Sequence, residues 1–384
     1  MDILILGNGF DLAHELKTSY KDFLEYCNPK KSLYEFIVEK LPQRELCETN
    51  LWVKHFITRQ KLLGENWIDL EKEIYEVIKN LKSVYALTKQ GVLVRKYRKV
   101  LWIEKGSTDL NLLELGNNIR EPHLNEKLSK DGLEDPYRNY IVNFYIENFK
   151  DFVELLYKHL RGFTQIFQPY LSEIVLFDTK KYEKYDFALL NKVSPVHVVN
   201  FNYTDTYERL YKHKRMYSDF KSEYIYIHGK IENNSNCNLV LGTHSFYNYL
   251  PNSLNEEIPV DFNVFKKHNQ RHKYCTIDSY QEFLKILKPE NEKNEDIVFH
   301  IIGHSLDETD HSILRHLLNY NEKAKINIYY HDEEAQQRLI TNITEIISEE
   351  NVISRVRLIY QHDPLRGILI PKKVLEKNAV TTSV

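Results

Sequence analysis

Short apolar runs, each followed by a polar or glycine turn, organise this chain. Residues 2–6 (DILIL) form a continuous apolar run, which is typical of a strand buried on both faces of a sheet. Similar runs predict six further strands, at 196–201, 224–228, 239–241, 297–302, 326–331 and 356–360. Helical patterns fall between most of them, at 204–213, 279–288, 306–319 and 333–348. This alternation predicts a parallel sheet with helices on both faces.

A long helix-like block separates the first strand from the others. Within it, residues 140–167 are rich in Phe, Tyr and Leu and predict a packed central helix. We therefore predict an α/β fold: an open, mostly parallel, Rossmann-like sheet with helices on both faces and a large helical insertion after the first strand-helix unit. The predicted domains are 1–25 with 191–370 for the α/β domain, 26–190 for the insertion and 371–384 for a disordered C-terminal tail. Polar residues and two prolines predict a loop or lid at 245–278.

The amino-acid composition limits which partners the protein could bind and where in the cell it could be located. The net charge of −3 and the isoelectric point near 6.6 give no global attraction to nucleic acid or anionic lipid. Four cysteines, at 27, 47, 237 and 275, are too scattered to form Cys-x-x-Cys pairs, which argues against a zinc site, and we predict no metal. Neither a basic leader region nor a long apolar stretch follows Met1. We therefore predict no signal peptide, no membrane span and a cytoplasmic location.

Glycine is scarce, with 12 residues in 384, and several glycines follow the predicted strands. The first strand leads into Gly7, Asn8 and Gly9 and then into a helical pattern, the arrangement that cradles a dinucleotide phosphate at a helix N-terminus. Leu12 stands where a third glycine would complete the usual motif. Asp11 either caps the helix or reaches a ribose hydroxyl. The alternative for the whole segment is a tight strand-helix turn without a ligand.

Polar side chains and glycines follow four of the later predicted strands. In open α/β sheets, the carboxyl ends of the strands line the ligand crevice, so these positions are candidates for a site. They are Asn202, His228 with Gly229, Gly242 with Thr243, and Gly303 with Ser305 and Asp307. The bland alternatives are a cap of the next helix for Asn202, a structural role for His228, a Ser305–Glu308 capping box, and solvated first-turn positions for Asp307 and Asp310.

The order of these motifs resembles the bacteriophage abortive infection AbiH family over nearly the whole chain. The residues that carry the resemblance are GNGFD with HELKTSYKDF behind it, then FNYT, HG and GHSLDETD. A recurrent segment of that family is also similar to NWIDLE, but we assign Asp69 and Glu71 no role. The AbiH family in turn resembles the sirtuin-like NAD-binding superfamily. Asp11 and Thr204 depart from the sirtuin motifs, where Ser and Asp stand, and the sirtuin zinc cysteines are missing.

The resemblance implies a sirtuin-like NAD cleft and an anti-phage effector that hydrolyses NAD, which is its substrate. Gly7 and Gly9 would face the NAD phosphates, and Gly303 and Ser305 the adenosine half. Asn202 would lie beside the nicotinamide ribose, and His228 would be the catalytic histidine. An NAD-consuming effector also implies control, through a homo-oligomer and a phage-derived trigger or partner defence protein.

Hydrolysis of NAD requires Asn202, His228 and the glycine turn, which are far apart in the sequence, to lie close together in the fold. We expect Asn202 to orient the attacking water or the leaving carboxamide, and a neutral His228 to accept a proton. Two other classes stay open: an NAD or ADP-ribose sensor that signals through the helical insertion, and a nucleic-acid-acting toxin using the basic run 95–99. A dehydrogenase ranks last, because no acidic residue ends the second strand to hold a ribose.

Overall fold

The computed structural model describes residues 1–28, 44–63, 69–89, 136–175, 185–186, 197–211, 223–231, 237–244, 262–287, 297–361 and 370–371. The chain divides into two compact units. The first unit comprises Met1–Ser19, Gln168–Val240 and Arg271–Val384, and the second comprises Tyr20–Phe167 and Leu241–Gln270. These units differ in extent from the predicted domains, and the division into domains stays a prediction. The basic run 95–99 lies outside the described residues.

Six parallel strands form the sheet of the first unit. In sheet order they are Glu223–Tyr226 (β4), His197–Asn200 (β3), Asp2–Leu6 (β1), Val298–Ile302 (β5), Lys325–Tyr330 (β6) and Val356–Tyr360 (β7). From β1 the sheet extends through β3 to β4 on one side, and through β5 and β6 to β7 on the other. This is the Rossmann strand order. Two short strands, Tyr185–Asp186 (β2) and Ile370–Pro371 (β8), form a separate antiparallel pair. The predicted α/β fold with a parallel sheet is confirmed.

Alternate residues of β1 enter two different cores, as the two-residue period of a strand requires. Ile3 and Ile5 pack into one cluster and Leu4 and Leu6 into another. The first cluster includes residues of the helices Thr276–Ile286 (α9), His311–Asn319 (α10) and Glu333–Ile346 (α11), and the second those of Asn8–Ala13 (α1) and Thr206–Tyr211 (α7). Helices therefore cover both faces of the sheet. A further helix, Glu349–Arg355 (α12), leads directly into β7.

The second unit is helical over most of its described length. Its helices are Tyr20–Cys27 (α2), Arg44–Thr49 (α3), Leu51–Leu63 (α4), Leu70–Lys89 (α5) and Pro136–Pro169 (α6), of which α6 ends within the first unit. A π-helix of the first unit, Tyr170–Val175, follows α6. Phe163 of α6 packs edge-on against Phe23 and Phe56, with ring centroids 5.1 and 5.6 Å apart. The indole of Trp52 donates a hydrogen bond to the Leu156 carbonyl at 2.9 Å. The helix predicted at 140–167 is confirmed, and its packing is confirmed over 153–167, where the side chains are described.

Two local predictions are wrong. Residues 239–241 are buried, as their apolar character requires, but they form no strand. The segment predicted as a loop or lid is helical where it is described, with a 3-10 helix at Phe262–Phe265 and α-helices at Lys267–Lys273 (α8) and Thr276–Ile286; residues 245–261 lie outside the described part. Among the described residues, no helix is long and apolar enough to cross a membrane.

Candidate functional site

The predicted site residues of the first unit follow four neighbouring strands. Gly7 follows β1, Asn202 lies two residues beyond β3, His228 two residues beyond β4, and Gly303 directly after β5. Because β4, β3, β1 and β5 are adjacent and parallel, their carboxyl ends share one edge of the sheet. The chain reverses its direction of strand addition between β1 and β5, and in such sheets the ligand crevice opens at this point.

The turns after β1 and β5 pack backbone against backbone. The Gly9 amide donates to the Gly303 carbonyl at 2.8 Å, and the Gly7 amide to the Ile302 carbonyl at 3.1 Å. A Cβ on Gly9 would lie 2.8 Å from the Gly303 Cα, and one on Gly7 2.5 Å from the His304 Cα. Gly303 also has a φ of +65°, which favours glycine. These glycines thus serve a close approach of two turns, and both amides already have protein acceptors.

Asn202 ties the turn after β3 to this glycine turn. Its Nδ2 donates to the Gly7 carbonyl at 3.0 Å, and its backbone amide donates to Asn200 Oδ1 at 2.9 Å. The side chain of Asn200 also donates to the Thr204 carbonyl at 3.0 Å. Asn202 is buried, its carboxamide is oriented by the turn after β1, and its backbone is held by Asn200. The predicted convergence of Asn202 with the glycine turn is present in the structure.

His228 lies against a buried carboxylate. Its Nε2 is 3.0 Å from Oδ1 of Asp310, and the same oxygen accepts a hydrogen bond from Arg271 Nη2 at 3.2 Å. His304 Nε2 lies 3.8 Å from the other oxygen of Asp310. The ring of Phe201, next to Asn202, packs edge-on against both imidazoles, with centroids 5.6 Å from His228 and 4.4 Å from His304. We name His228, Arg271, His304 and Asp310 the Asp310 cluster.

A family model described as bacteriophage abortive infection AbiH matches residues 3–332. The chain belongs to the AbiH family. No curated protein and no solved structure matches it. Membership places this AbiH protein in bacteriophage abortive infection, while the likeness to sirtuins stays a prediction.

The loop after β5 supplies two members of the Asp310 cluster in this AbiH protein. His304 Nδ1 accepts a hydrogen bond from the Leu306 amide at 2.9 Å, and Leu306 has a φ of +57°, which is rare for a branched residue. His311 Nε2 donates to the Leu306 carbonyl at 3.0 Å. The expectation of a solvated Asp310 is wrong, because that residue is only 8% exposed.

Ser305 and Asp307 have other roles than the expected capping box. The 3-10 helix over Glu308–Asp310 begins after Asp307, whose side chain accepts from the Thr309 amide at 3.2 Å, so Asp307 is the cap and the predicted Ser305 cap is wrong. Ser305 is exposed, and its carbonyl accepts from Asn342 Nδ2 at 2.9 Å. Asn8, in the turn after β1, is exposed too and accepts from Thr18 Oγ1 at 2.6 Å.

The remaining predicted glycines make close backbone contacts. Gly229 has a φ of +83°, and a Cβ there would overlap the Asn238 carbonyl. Gly242 and Thr243 belong to the second unit. A Cβ on Gly242 would overlap the Phe265 carbonyl, which accepts from the Thr243 amide at 2.8 Å.

The AbiH segment NWIDLE also has its described contacts within the second unit. Asp69 Oδ1 accepts from the Lys72 amide at 2.9 Å and so caps α5. Glu71 forms an ion pair with the buried Lys267 at 2.6 Å. The two carboxylates therefore have separate structural partners and form no acidic pair.

Asp11 is in the interior of the first unit. It is 1% exposed, and its carboxylate accepts from the Thr204 hydroxyl, which links α1 to the turn after β3. Burial raises the pKa of Asp11 to about 7, although hydrogen bonds from Thr204 and Thr206 act in the opposite direction. The expected helix cap at Asp11 is wrong, because α1 begins after Gly7.

Sequence reasoning missed Arg271 and His304 and undervalued Asp310. The two histidines and three acids of GHSLDETDH are visible in the sequence, but nothing there distinguishes the buried acid from the solvated ones. Arg271 lies in the polar run predicted to be a loop or lid. Among the described residues, no group of three or more His, Cys, Asp or Glu is arranged to hold a metal ion.

The packing of the two turns is testable by adding one methyl group. We expect Gly303→Ala to lower the free energy of unfolding by at least about 3 kcal/mol, because it combines left-handed strain with backbone overlap. Thermal and urea denaturation of the full chain measure this. The matched control is Gly162→Ala in α6, where the nearest atom is the flexible Asn50 Nδ2 at 3.1 Å; we expect an effect within about 1 kcal/mol. Equal effects of the two substitutions would contradict the packing role.

The burial of Asp11 predicts a pH dependence of stability. The folded pKa of about 7 exceeds the unfolded value of 3.8, so the folded state holds a proton that the unfolded state loses, and stability falls as pH rises from about 4 to about 7. We expect Asp11→Asn to remove this fall, a relative gain of up to about 4 kcal/mol at pH 8. Urea denaturation across this range measures it, with exposed Asp278→Asn as the control. Parallel curves for Asp11→Asn and the unsubstituted protein would show the assignment to be wrong.

Proposed function

We propose that this AbiH protein is an abortive-infection effector that hydrolyses NAD to nicotinamide and ADP-ribose. Family membership supports the defence role, and the Rossmann strand order supports a nucleotide crevice at the edge shared by β1 and β5. The observation that carries the enzymatic part is the 3.0 Å approach of His228 to Asp310, two residues beyond a strand whose neighbour presents Asn202. A histidine held by a carboxylate is the usual form of a general base.

The proposed reaction needs few groups. The bond between the ribose carbon and the nicotinamide nitrogen breaks, its electron pair goes to nicotinamide, and the ribose passes through an oxocarbenium-like state. A water oxygen bonds to that carbon, and His228 takes the water proton. The Nδ2 of Asn202 is used by Gly7, so its carboxamide oxygen is the atom we assign to the water or to the leaving amide. Base catalysis of this kind contributes roughly 10² to 10⁴-fold.

The nucleotide would lie along the exposed side of the same edge. Asn8 and Ser305 are the exposed residues of the turns after β1 and β5. Since the amides of Gly7 and Gly9 have protein acceptors, we assign to Asn8 the polar contact with phosphate, and to Gly303 and Ser305 the adenosine half. Asp11 keeps its interior role in this proposal. Homo-oligomerisation and a phage-derived trigger would provide the control that an NAD-consuming protein needs.

One observation favours a second candidate, an NAD or ADP-ribose sensor without turnover. His228 is only 4% exposed and Asn202 only 6%, so hydrolysis requires a state in which these side chains meet the ribose. A sensor needs only the exposed turns. Isothermal calorimetry with NAD, run beside the hydrolysis assay, distinguishes the two, because binding without release of nicotinamide supports the sensor.

We expect purified protein to convert NAD to nicotinamide and ADP-ribose, as followed by liquid chromatography. His228→Gln and Asn202→Ala should each lower the rate by at least about 10²-fold, since the first removes the base and the second the group that orients water or amide. His331→Gln is the control, because that histidine is exposed and outside the site. Thermal melting should show that each variant is folded. Unchanged hydrolysis in both site variants would exclude the proposed roles.

A further inference from the structure

Nitrogen atoms of Arg271, His228 and His304 lie 3.0 to 3.8 Å from the carboxylate oxygens of Asp310. We propose that Asp310 is a positioning residue that fixes His228 in the tautomer with its proton on Nε2, so that Nδ1 is the atom that accepts the proton in the reaction. The role of Nδ1 as base rests on the proposed function, whereas the tautomer itself does not. Histidine in neutral form carries one proton, and the acceptor it faces decides which nitrogen holds it.

The tautomer of His304 is the first step toward that of His228. The Leu306 amide donates to His304 Nδ1 at 2.9 Å, so Nδ1 holds the lone pair and Nε2 the proton. That proton is on the side of the ring facing Asp310 Oδ2, 3.8 Å away. His304 thus presents its N–H side to one carboxylate oxygen from beyond hydrogen-bond distance, while Arg271 and His228 lie at the other oxygen.

The second step concerns Oδ1 of Asp310. Arg271 can only donate there, and it does so at 3.2 Å. His228 Nε2 approaches the same oxygen at 3.0 Å. A lone pair on Nε2 would oppose the carboxylate lone pairs at this distance, whereas an Nε2 proton makes the contact attractive. The carboxylate therefore selects the proton on Nε2 and leaves the lone pair on Nδ1.

The third step is the charge balance, which keeps His228 able to accept a proton. A buried carboxylate alone would attract a second proton onto His228 and make it a cation that cannot act as a base. Arg271 is charged at every physiological pH and its side chain is only 2% exposed, so it offsets the charge of Asp310. Among the described residues, His304 lies across Asp310 from His228, and the ring centroid of Tyr203 is 6.3 Å from that of His228.

The direct test is nuclear magnetic resonance of the full chain labelled with ¹⁵N at histidine. The His228 signals are assigned by their loss in His228→Gln. Near pH 7.5 we expect a neutral ring with its proton on Nε2. A proton on Nδ1, or a doubly protonated ring, would overturn the proposal, and this measurement needs no turnover of NAD.

A matched pair of variants then tests Asp310 itself. In Asp310→Asn the amide can donate to Nε2, so we expect the proton of His228 to move to Nδ1 and NAD hydrolysis to fall by roughly 10²-fold or more. Exposed Asp278→Asn should change neither. An unchanged tautomer in folded Asp310→Asn would overturn the proposal; if this variant does not fold, the spectrum of the unsubstituted protein decides. Absence of NAD hydrolysis with the expected tautomer would refute the proposed function alone.

Discussion

The close approach of the turns after β1 and β5 is the constraint on which the rest of the site depends. These turns meet through Gly7, Gly9 and Gly303, with no side chain between them. Two amides of the turn after β1 donate hydrogen bonds to carbonyls of β5 and of the loop that follows it. The Gly7 carbonyl then becomes the acceptor that orients Asn202. The loop that begins at Gly303 continues to His304 and Asp310. A larger residue at the contact would displace both halves of the site together.

Sequence reasoning recovered the architecture because apolar runs report burial, and burial on both faces is what a parallel strand needs. The same signal failed at 239–241, where the apolar side chains are buried but the backbone groups pair elsewhere: the Val240 amide donates to the His228 carbonyl at 2.8 Å, and the Leu241 amide to Gln270 Oε1 at 3.1 Å. A run of apolar residues predicts that the side chains are buried. It does not predict which groups the backbone amides and carbonyls bond to. The polar pattern at 262–278 led to a wrong prediction of a loop, because polar residues are usually exposed. Lys267, Gln270 and Arg271 are polar but buried.

Part of the candidate site could be predicted from the sequence, because some of its residues lie at strand ends and others do not. Asn202, His228 and Gly303 lie within two residues of strand ends, and the geometry of a parallel sheet brings strand ends together whatever the helices do. Arg271 and Asp310 lie on segments whose position depends on tertiary packing. Their pairing is a contact between residues 39 apart in the chain, with no periodic signal to reveal it. The sequence therefore indicated that the site lies at the carboxyl ends of the strands. It did not indicate that Arg271 and Asp310 pair there, because that contact depends on tertiary packing.

Two buried carboxylates near this edge, Asp11 and Asp310, lie in different electrostatic environments. Hydrogen bonds from the Thr204 and Thr206 hydroxyls lower the pKa of Asp11, but burial and repulsion from Asp205 raise it. Burial dominates, so the pKa is about 7 and a proton is retained near neutral pH. Asp310 has a buried guanidinium and two imidazoles within 4 Å, and its negative charge is compensated in place. Only an ionised carboxylate can both select a histidine tautomer and stabilise the imidazolium that forms when the base accepts a proton. In our proposal, the buried guanidinium beside Asp310, rather than its depth of burial, therefore distinguishes it from Asp11 as the carboxylate that positions His228.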